Sequence, residues 1–205
     1  MTDMLVAPLR LYIIRHGETE WALTGQHTGR SDIALTAHGR DEARALKPWL
    51  AHISFDHVWM SPRQRARDTA DLAGLGFAAQ IEPDLAEWDY GDYEGRTSAD
   101  IRRQRPDWSM FKDGCPNGES PDHVSDRADR LIERLSELGG NVALFSHGEF
   151  GRALSVRWIG LPFITGLHLS FGTASLSILT VKADEPEIRV IELWNASPAL
   201  SAGPT

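Results

Sequence analysis

The sequence predicts an α/β fold, a three-layer α/β/α sandwich with a mostly parallel central sheet. Two observations carry that prediction. Short apolar runs alternate with stretches of helical period, the order that builds a parallel sheet covered on both faces. The opening design, an apolar run ending in Arg15-His16-Gly17, also returns late in the chain as a run ending in Ser146-His147-Gly148. In open parallel sheets ligands bind beyond the carboxyl ends of the strands, so both histidines fall where chemistry is expected.

Taken in order, residues 9–14 read as the first strand, aromatic and aliphatic until Arg15, with Gly17 ending it. Residues 18–35 show no sustained period and are expected to be loop. In "LTAHGRDEARALKPWL", 35–50, the period becomes helical: Thr36 can cap, Ala43, Leu46 and Leu50 share a face, and Pro48 is expected to kink or end the helix. Residues 55–60 form a short strand. The next helix is expected to start with Ser61 as cap and Pro62 at its first position, and to stop at a glycine. Residues 84–97 are acidic, aromatic and glycine-punctuated, hence loop, and 98–108 can form a short helix stopping near Pro106. After the turn-rich "MFKDGCPNGES", Ser120 and Pro121 open a helix with Val124, Ala128, Leu131, Leu135 and Leu138 on one face. A strand at 142–145 and a helix after Gly148 follow, then two strands, "TASLSILTV" and "EIRVIELWN", joined by a hairpin-like turn. One domain is expected over 1–205, with its core at about 9–196 and a frayed tail at 197–205.

Composition narrows the function classes. A formal net charge of -8 argues against a general nucleic-acid or acidic-membrane binder. The one cysteine, Cys115, excludes an internal disulfide and a cysteine-only metal cage, and reads as a passive thiol. No apolar run reaches the roughly 18 residues of a membrane span. The start, "MTDMLVAPLR", carries an acid where a signal peptide wants bases, so the expected location is cytoplasmic.

Arg15-His16, Ser61-Arg63 and Ser146-His147 follow three different strands and should meet at one sheet end. Guanidinium and imidazole are costly near a core unless an anion meets them. A phosphoryl group is such an anion: Arg15, Arg63 and His147 could donate to its oxygens. An imidazole can carry the group briefly, and Glu87 could protonate the leaving oxygen and then take a proton from water. Nothing in that sequence of steps demands a metal. There is no HxH pair and no HExxH, and a Ser-His-Asp hydrolase lacks its GxSxG elbow.

"RHGETEW" resembles the signature of the histidine phosphatase superfamily, the phosphoglycerate mutase-like group. "HTGRSDIALTAHGRDEA", "SPRQRARDTA", "EWDYGDYEG", "DGCPNGES" and "FSHGEFGRAL" follow in that family's order and cover most of the chain. "EWDYGDYEG" with "GCPNGES" is similar to a narrower group of acid phosphatases and sugar-bisphosphate phosphatases, including those acting on sedoheptulose bisphosphate. The resemblance implies that His16 is the phosphorylated nucleophile, that Arg15, Arg63 and His147 complete the phosphate pocket, and that Glu87 is the proton donor. It places Thr28 and Gly29 on the substrate side, with Gly148 flanking the pocket. Many relatives have Asn where this chain has Ala22, so that amide contact is expected either to be missing or to be replaced by Gln26, His27 or water. Trp21 and Trp88 are expected as pocket walls. His27, Arg30, Arg96, Arg102, Arg103 and Lys112 are the candidates for gripping a second phosphate.

The mutases' long insert is absent between Glu87 and Cys115, and a mutase must keep its phosphohistidine from water. The expectation is therefore a metal-independent and cofactor-free phosphatase acting on small phosphate monoesters. Sugar phosphates or bisphosphates are the substrates in view. Mutase-type transfer and phospholigand binding without turnover are the alternatives. As partners the sequence admits the small-molecule ester and a homodimer, with neither nucleic acid nor membrane.

Overall fold

The alternation within the first strand sets the layers. The computed structural model describes residues 8–198, and the expected tail lies outside the described residues from 199 onward. β1 (Arg10–Arg15) turns Leu11 and Ile13 to one face and Tyr12 and Ile14 to the other, all four buried. Full burial of each such side chain contributes about 1.5–3 kcal/mol, so both faces need a helical cover. After α1 (Glu20–Thr24), helix α2 (Ala37–Leu50) brings Leu46 and Leu50 onto Tyr12 and Ile14. β2 (His57–Met60) and α3 (Gln64–Leu72) complete that side, and β3 (Gln80–Ile81) is a two-residue edge strand.

The second face is covered later in the chain. The short helices α4 (Ser98–Gln104) and α5 (Met110–Asp113) lead to α6 (Pro121–Ser136), whose buried Val124, Ala128, Leu131 and Leu135 join Leu11 and Ile13. β4 (Asn141–Ser146), α7 (Gly148–Trp158), β5 (Leu176–Val181) and β6 (Arg189–Ala196) follow. The six-stranded sheet has the order β3-β2-β4-β1-β5-β6, and β5 alone runs against its neighbours. This is the expected three-layer sandwich. No described helix is long and apolar enough to cross a membrane.

Several local expectations are corrected. Residues 18–35 are not all loop: Thr19 accepts from the Ala22 N–H and Gly25, at φ 75, closes α1 after five residues, too few to show a period. Ser61 does not cap α3, which starts at Gln64 with Arg63 in the capping position. The Ser61 hydroxyl instead meets His147 Nε2 at 2.7 Å and accepts from the Arg63 N–H at 3.2 Å. Pro48 lies inside α2, which runs on only through Trp49 and Leu50 before it ends.

Two glycines fix the end of β1 to the start of α2. A Cβ on Gly17 would overlap the Gly39 carbonyl oxygen, and one on Gly39 would overlap the Glu18 carbonyl oxygen. The backbones touch directly, and the Gly17 N–H also donates to Thr69 Oγ1 at 3.0 Å. Gly39→Ala is therefore expected to cost about 1–3 kcal/mol, the scale for forced overpacking, and to lower Tm by roughly 3–10 °C. Thermal unfolding with Arg40→Ala as the neighbouring control checks this, and an unchanged Tm would mean the contact yields freely.

Candidate active site

Three strand ends deliver the central side chains. Arg15 is in register with Ser146, the His16 N–H donates to Ser146 O at 3.0 Å, and the Ser61 N–H donates to Phe145 O at 2.9 Å. These bonds hold His16 and His147 with ring centroids 5.2 Å apart, tilted by 60°.

His16 has a determined tautomer. Its Nδ1 lies 2.7 Å from Gly17 O, and a carbonyl can only accept, so the proton sits on Nδ1 and Nε2 carries the free lone pair. Burial, with Arg65 and Arg15 nearby, holds the imidazole well below its ordinary pKa of 6.5. His147 is fully buried and shifted the same way, first by burial and then by Arg65. Both rings are neutral at pH 7.

Around them stand nitrogens without protein partners. Arg15 Nε, Arg63 Nε, Arg65 Nε and His147 Nδ1 are buried and find no hydrogen-bond partner among the described residues. An orphaned buried donor costs about 1–3 kcal/mol, and three guanidinium Nε–H groups around the two imidazoles form a set suited to an oxyanion. Other guanidinium nitrogens donate to backbone carbonyls: Arg15 Nη1 to Phe171, Arg63 Nη1 to Arg30, and Arg65 to Thr28, Gly29 and Ser31. Gly148 lacks the side chain that would crowd Arg15, since a Cβ there would stand 3.2 Å from the guanidinium carbon.

Glu87 sits at the start of α7. One carboxyl oxygen accepts from the Phe150 and Trp88 N–H groups, each at 2.9 Å, and the other from the Glu149 N–H at 3.1 Å. Burial pushes its pKa above the ordinary 4.5, against the pull of the Trp88 and Phe150 bonds and of Arg65 and Arg15. Its acidic neighbours are employed elsewhere: Asp89 pairs with Arg30 at 2.6 Å, Asp92 accepts from Asn117, and Glu94 accepts from the Gly29 and Ser31 N–H groups. Of these four acids only Glu87 lines the cavity.

That cavity encloses about 470 Å³. Arg15, His16 and Glu87 line it together with Trp21, Gln26, His27, Thr28 and Gly148, whereas His147 and Arg63 are not among its lining residues. Gly29 and Trp88 do not line it either. The Gly29 N–H is held by Glu94, and the Trp88 indole is fully buried against Phe111 and Phe163 with its N–H on Glu119 O, so Trp88 is a core residue. Ala22 lines the cavity where an amide was expected. The Gln26 amide nitrogen is taken by Gly95 O at 2.8 Å.

Among the candidates for a second phosphate, only His27 reaches the cavity. Its ring stacks on Tyr90 at 4.6 Å, Nε2 meets Ser98 Oγ at 3.2 Å, and burial, followed by Arg102 and Arg152, lowers its pKa to about 4. Arg30 pairs with Asp89 and Arg103 with Asp100, while Arg96 and Arg102 donate to the Asp100 and Trp108 carbonyls. Two arginines escaped the sequence reading. Arg65 is buried beneath the 28–31 loop, and Arg152 lines the cavity from the second turn of α7. The helical spacing of Gly148 and Arg152, four residues apart on one face, was the available signal for the second. Cys115 is buried, its thiol pushed up to about 12 by burial and three carboxylates. Among the described residues no group of three or more His, Cys, Asp or Glu is arranged to hold a metal ion.

Residues 11–195 match the model of the histidine phosphatase superfamily, branch 1. The chain is 40% identical over 198 residues to an acid phosphatase of Mycobacterium tuberculosis, covering 95% of this chain and 97% of that one. It is 33% identical over 187 residues to the sedoheptulose 1,7-bisphosphatase of Saccharomyces cerevisiae, covering 74% and 68% respectively. Among solved structures, an open reading frame product of Mycobacterium tuberculosis superposes with a TM-score of 0.85 at 39% identity, covering 93% of this chain and 98% of that one. A mycobacterial glucosyl-3-phosphoglycerate phosphatase superposes with a TM-score of 0.80 at 29% identity, covering 92% and 99%.

The two opposed pKa shifts give a pH test. A neutral imidazole and a protonated carboxyl hardly coexist at ordinary values of 6.5 and 4.5, because the histidine is neutral only where the carboxyl is ionised. Lowering His16 and raising Glu87 brings the neutral imidazole and the protonated carboxyl toward one range, as an attacking His16 and a proton-donating Glu87 would need. The imidazole form is lost as pH falls through the lowered His16 value, and the acid form as pH rises through the raised Glu87 value. For an alkyl phosphate, kcat/KM is expected to peak on the acid side of neutrality, and Glu87→Gln should abolish the alkaline limb. An alkaline limb that survives Glu87→Gln belongs to another group.

Proposed function

The chain belongs to the histidine phosphatase superfamily, branch 1, and is a phosphoric monoester hydrolase; from that premise we propose that it works through a phosphohistidine on His16. His16 Nε2 attacks phosphorus, the ester P–O bond breaks, and the Glu87 carboxyl protonates the departing oxygen. Glu87, now ionised, takes a proton from water. The resulting hydroxide oxygen attacks phosphorus, the P–N bond breaks and inorganic phosphate leaves. Arg15, Arg63 and His147 hold the equatorial oxygens, each offering a nitrogen that has no protein partner. No step calls for a metal or a cofactor. The observation that carries the reading is the Gly17 carbonyl on His16 Nδ1, which leaves Nε2 free within that ring of donors.

The substrate in this reading is a small phosphate ester. Gln26, His27 and Thr28 shape its side of the cleft, and the cavity is of ordinary size for such a ligand. The net charge of -8 speaks for a small molecule over nucleic acid. A cytoplasmic enzyme of one domain fits these observations. A second reading, return of the phosphoryl group to an acceptor hydroxyl, is favoured by relatives named probable phosphoglycerate mutase, 30% identical to this chain.

A brief reaction with labelled substrate should leave acid-labile, base-stable label on His16, and His16→Ala should remove nearly all activity with the fold intact. Label on a serine, or turnover that needs stoichiometric metal, sinks the mechanism. Transfer of label to an added hydroxyl acceptor in preference to water would select the mutase reading. Arg63→Lys keeps the charge but not the planar fork, and should cost about 2–4 kcal/mol in kcat/KM. A near-normal value would make Arg63 a loop anchor only.

Glu87→Gln should depress phosphorylation far more with a sugar phosphate than with p-nitrophenyl phosphate, whose phenolate leaves nearly unaided. Phosphoenzyme should then accumulate from the activated ester, because the water step has lost its base. Single-turnover rates for Glu87→Gln beside Asp89→Asn, Asp92→Asn and Glu94→Gln decide which acid serves.

A further inference from the structure

Resting on the phosphatase reading above, we propose that the part of the cleft lined by Glu149, Arg152, His27 and Trp21 reads an uncharged, hydroxyl-rich group. The preferred substrate is then the monophosphate of a neutral sugar or polyol, and a bisphosphate is disfavoured. The cavity has room for more than a phosphoryl group, and beyond Arg15 its lining arginine is Arg152. That charge is already matched. Arg152 Nη2 is paired with the Glu149 carboxylate one turn back on α7, and Nη1 donates to Leu169 O at 3.2 Å. Glu149 lines the same cavity. A second phosphate approaching Arg152 would meet the Glu149 carboxylate alongside it, and the like charges would repel in a partly desolvated site.

A sugar meets the same pair differently. Neighbouring hydroxyls both donate and accept, so a carboxylate beside a guanidinium suits a diol without any net charge. The rest of the wall agrees. His27 is held neutral between Tyr90 and Ser98, and Ser98 itself lines the cavity. Trp21 offers an apolar face for the C–H side of a ring. Its indole is seated on Gly95, where the bare Cα is needed because a Cβ would stand only 3.1 Å from the ring edge. These side chains therefore supply hydroxyl partners and an aromatic wall, with the Arg152 charge matched in place by Glu149.

The test compares kcat/KM for glucose 6-phosphate and glucose 1,6-bisphosphate, which present the same primary ester. The unaltered protein is expected to favour the monophosphate about tenfold or more. Glu149→Gln keeps the backbone N–H that Glu87 uses but frees Arg152, and should shift the ratio toward the bisphosphate by about tenfold. Arg152→Gln is the second variant. It should lower kcat/KM for glucose 6-phosphate about tenfold more than for p-nitrophenyl phosphate, which has no hydroxyls to read. A preference of the unaltered protein for the bisphosphate, or a ratio unmoved by Glu149→Gln, overturns the proposal. Label on His16 and hydrolysis of p-nitrophenyl phosphate are followed in the same preparations. If both persist beside a bisphosphate preference, this inference alone fails; if both are lost, the phosphatase reading falls with it.

Discussion

Positive charge gathered around two buried imidazoles is the constraint on which the rest of the site depends. Arg15, Arg63 and Arg65 converge there, and like charges at low dielectric repel strongly. The protein answers in two ways. The imidazoles stay neutral, and the guanidinium groups donate to backbone carbonyls of Phe171, Arg30, Thr28, Gly29 and Ser31. Those carbonyls belong to the loops that wall the cleft. The charges suited to an oxyanion therefore also hold the substrate loops, and a bound tetrahedral dianion relieves the repulsion that both share. Ligand binding to the folded form alone stabilises it by mass action, so the pocket and the fold are thermodynamically coupled.

Glu87 stands under the opposite tension. Backbone N–H groups at the start of α7 favour its carboxylate, and burial favours the neutral acid. A group that gives a proton in one step and takes one in the next works best when neither form dominates. The helix end keeps the carboxyl in place through both states, because Trp88, Glu149 and Phe150 offer three donors to two oxygens.

How much of this could be read from the chain follows from distance along it. Alternation in "LRLYIIR" and the helical stripe of 120–140 gave the layers because burial by period is a local signal. His16 and His147 were legible as strand-end residues, whereas Glu87, one of four acids in a short loop, was singled out by the family resemblance. Ser61 misled for a physical reason: a serine followed by proline is a good helix start, and only the three-dimensional neighbour His147 claims its hydroxyl. Trp88 misled because a tryptophan beside Glu87 is equally suited to a wall or a core, and the choice rests on Phe111 and Phe163, far along the chain. Arg65 and Arg152 were hidden among ordinary helix arginines, since burial of a cation depends on partners that no local pattern displays.

α7 places chemistry and selectivity one turn apart. Its first N–H groups hold Glu87, Gly148 makes room for Arg15, and Glu149 and Arg152 line the same cavity. The backbones of the inner residues are pinned by strand register and hydrogen bonds, so their side chains start from fixed points. Glu149 and Arg152 bond chiefly to each other, with one carbonyl contact at Leu169. A change in that pair alters what the cleft presents to the ester's other end while the strand ends keep their geometry. In the proposed reading the strand ends carry the phosphoryl chemistry, and Glu149 and Arg152 of α7 meet the substrate's remainder.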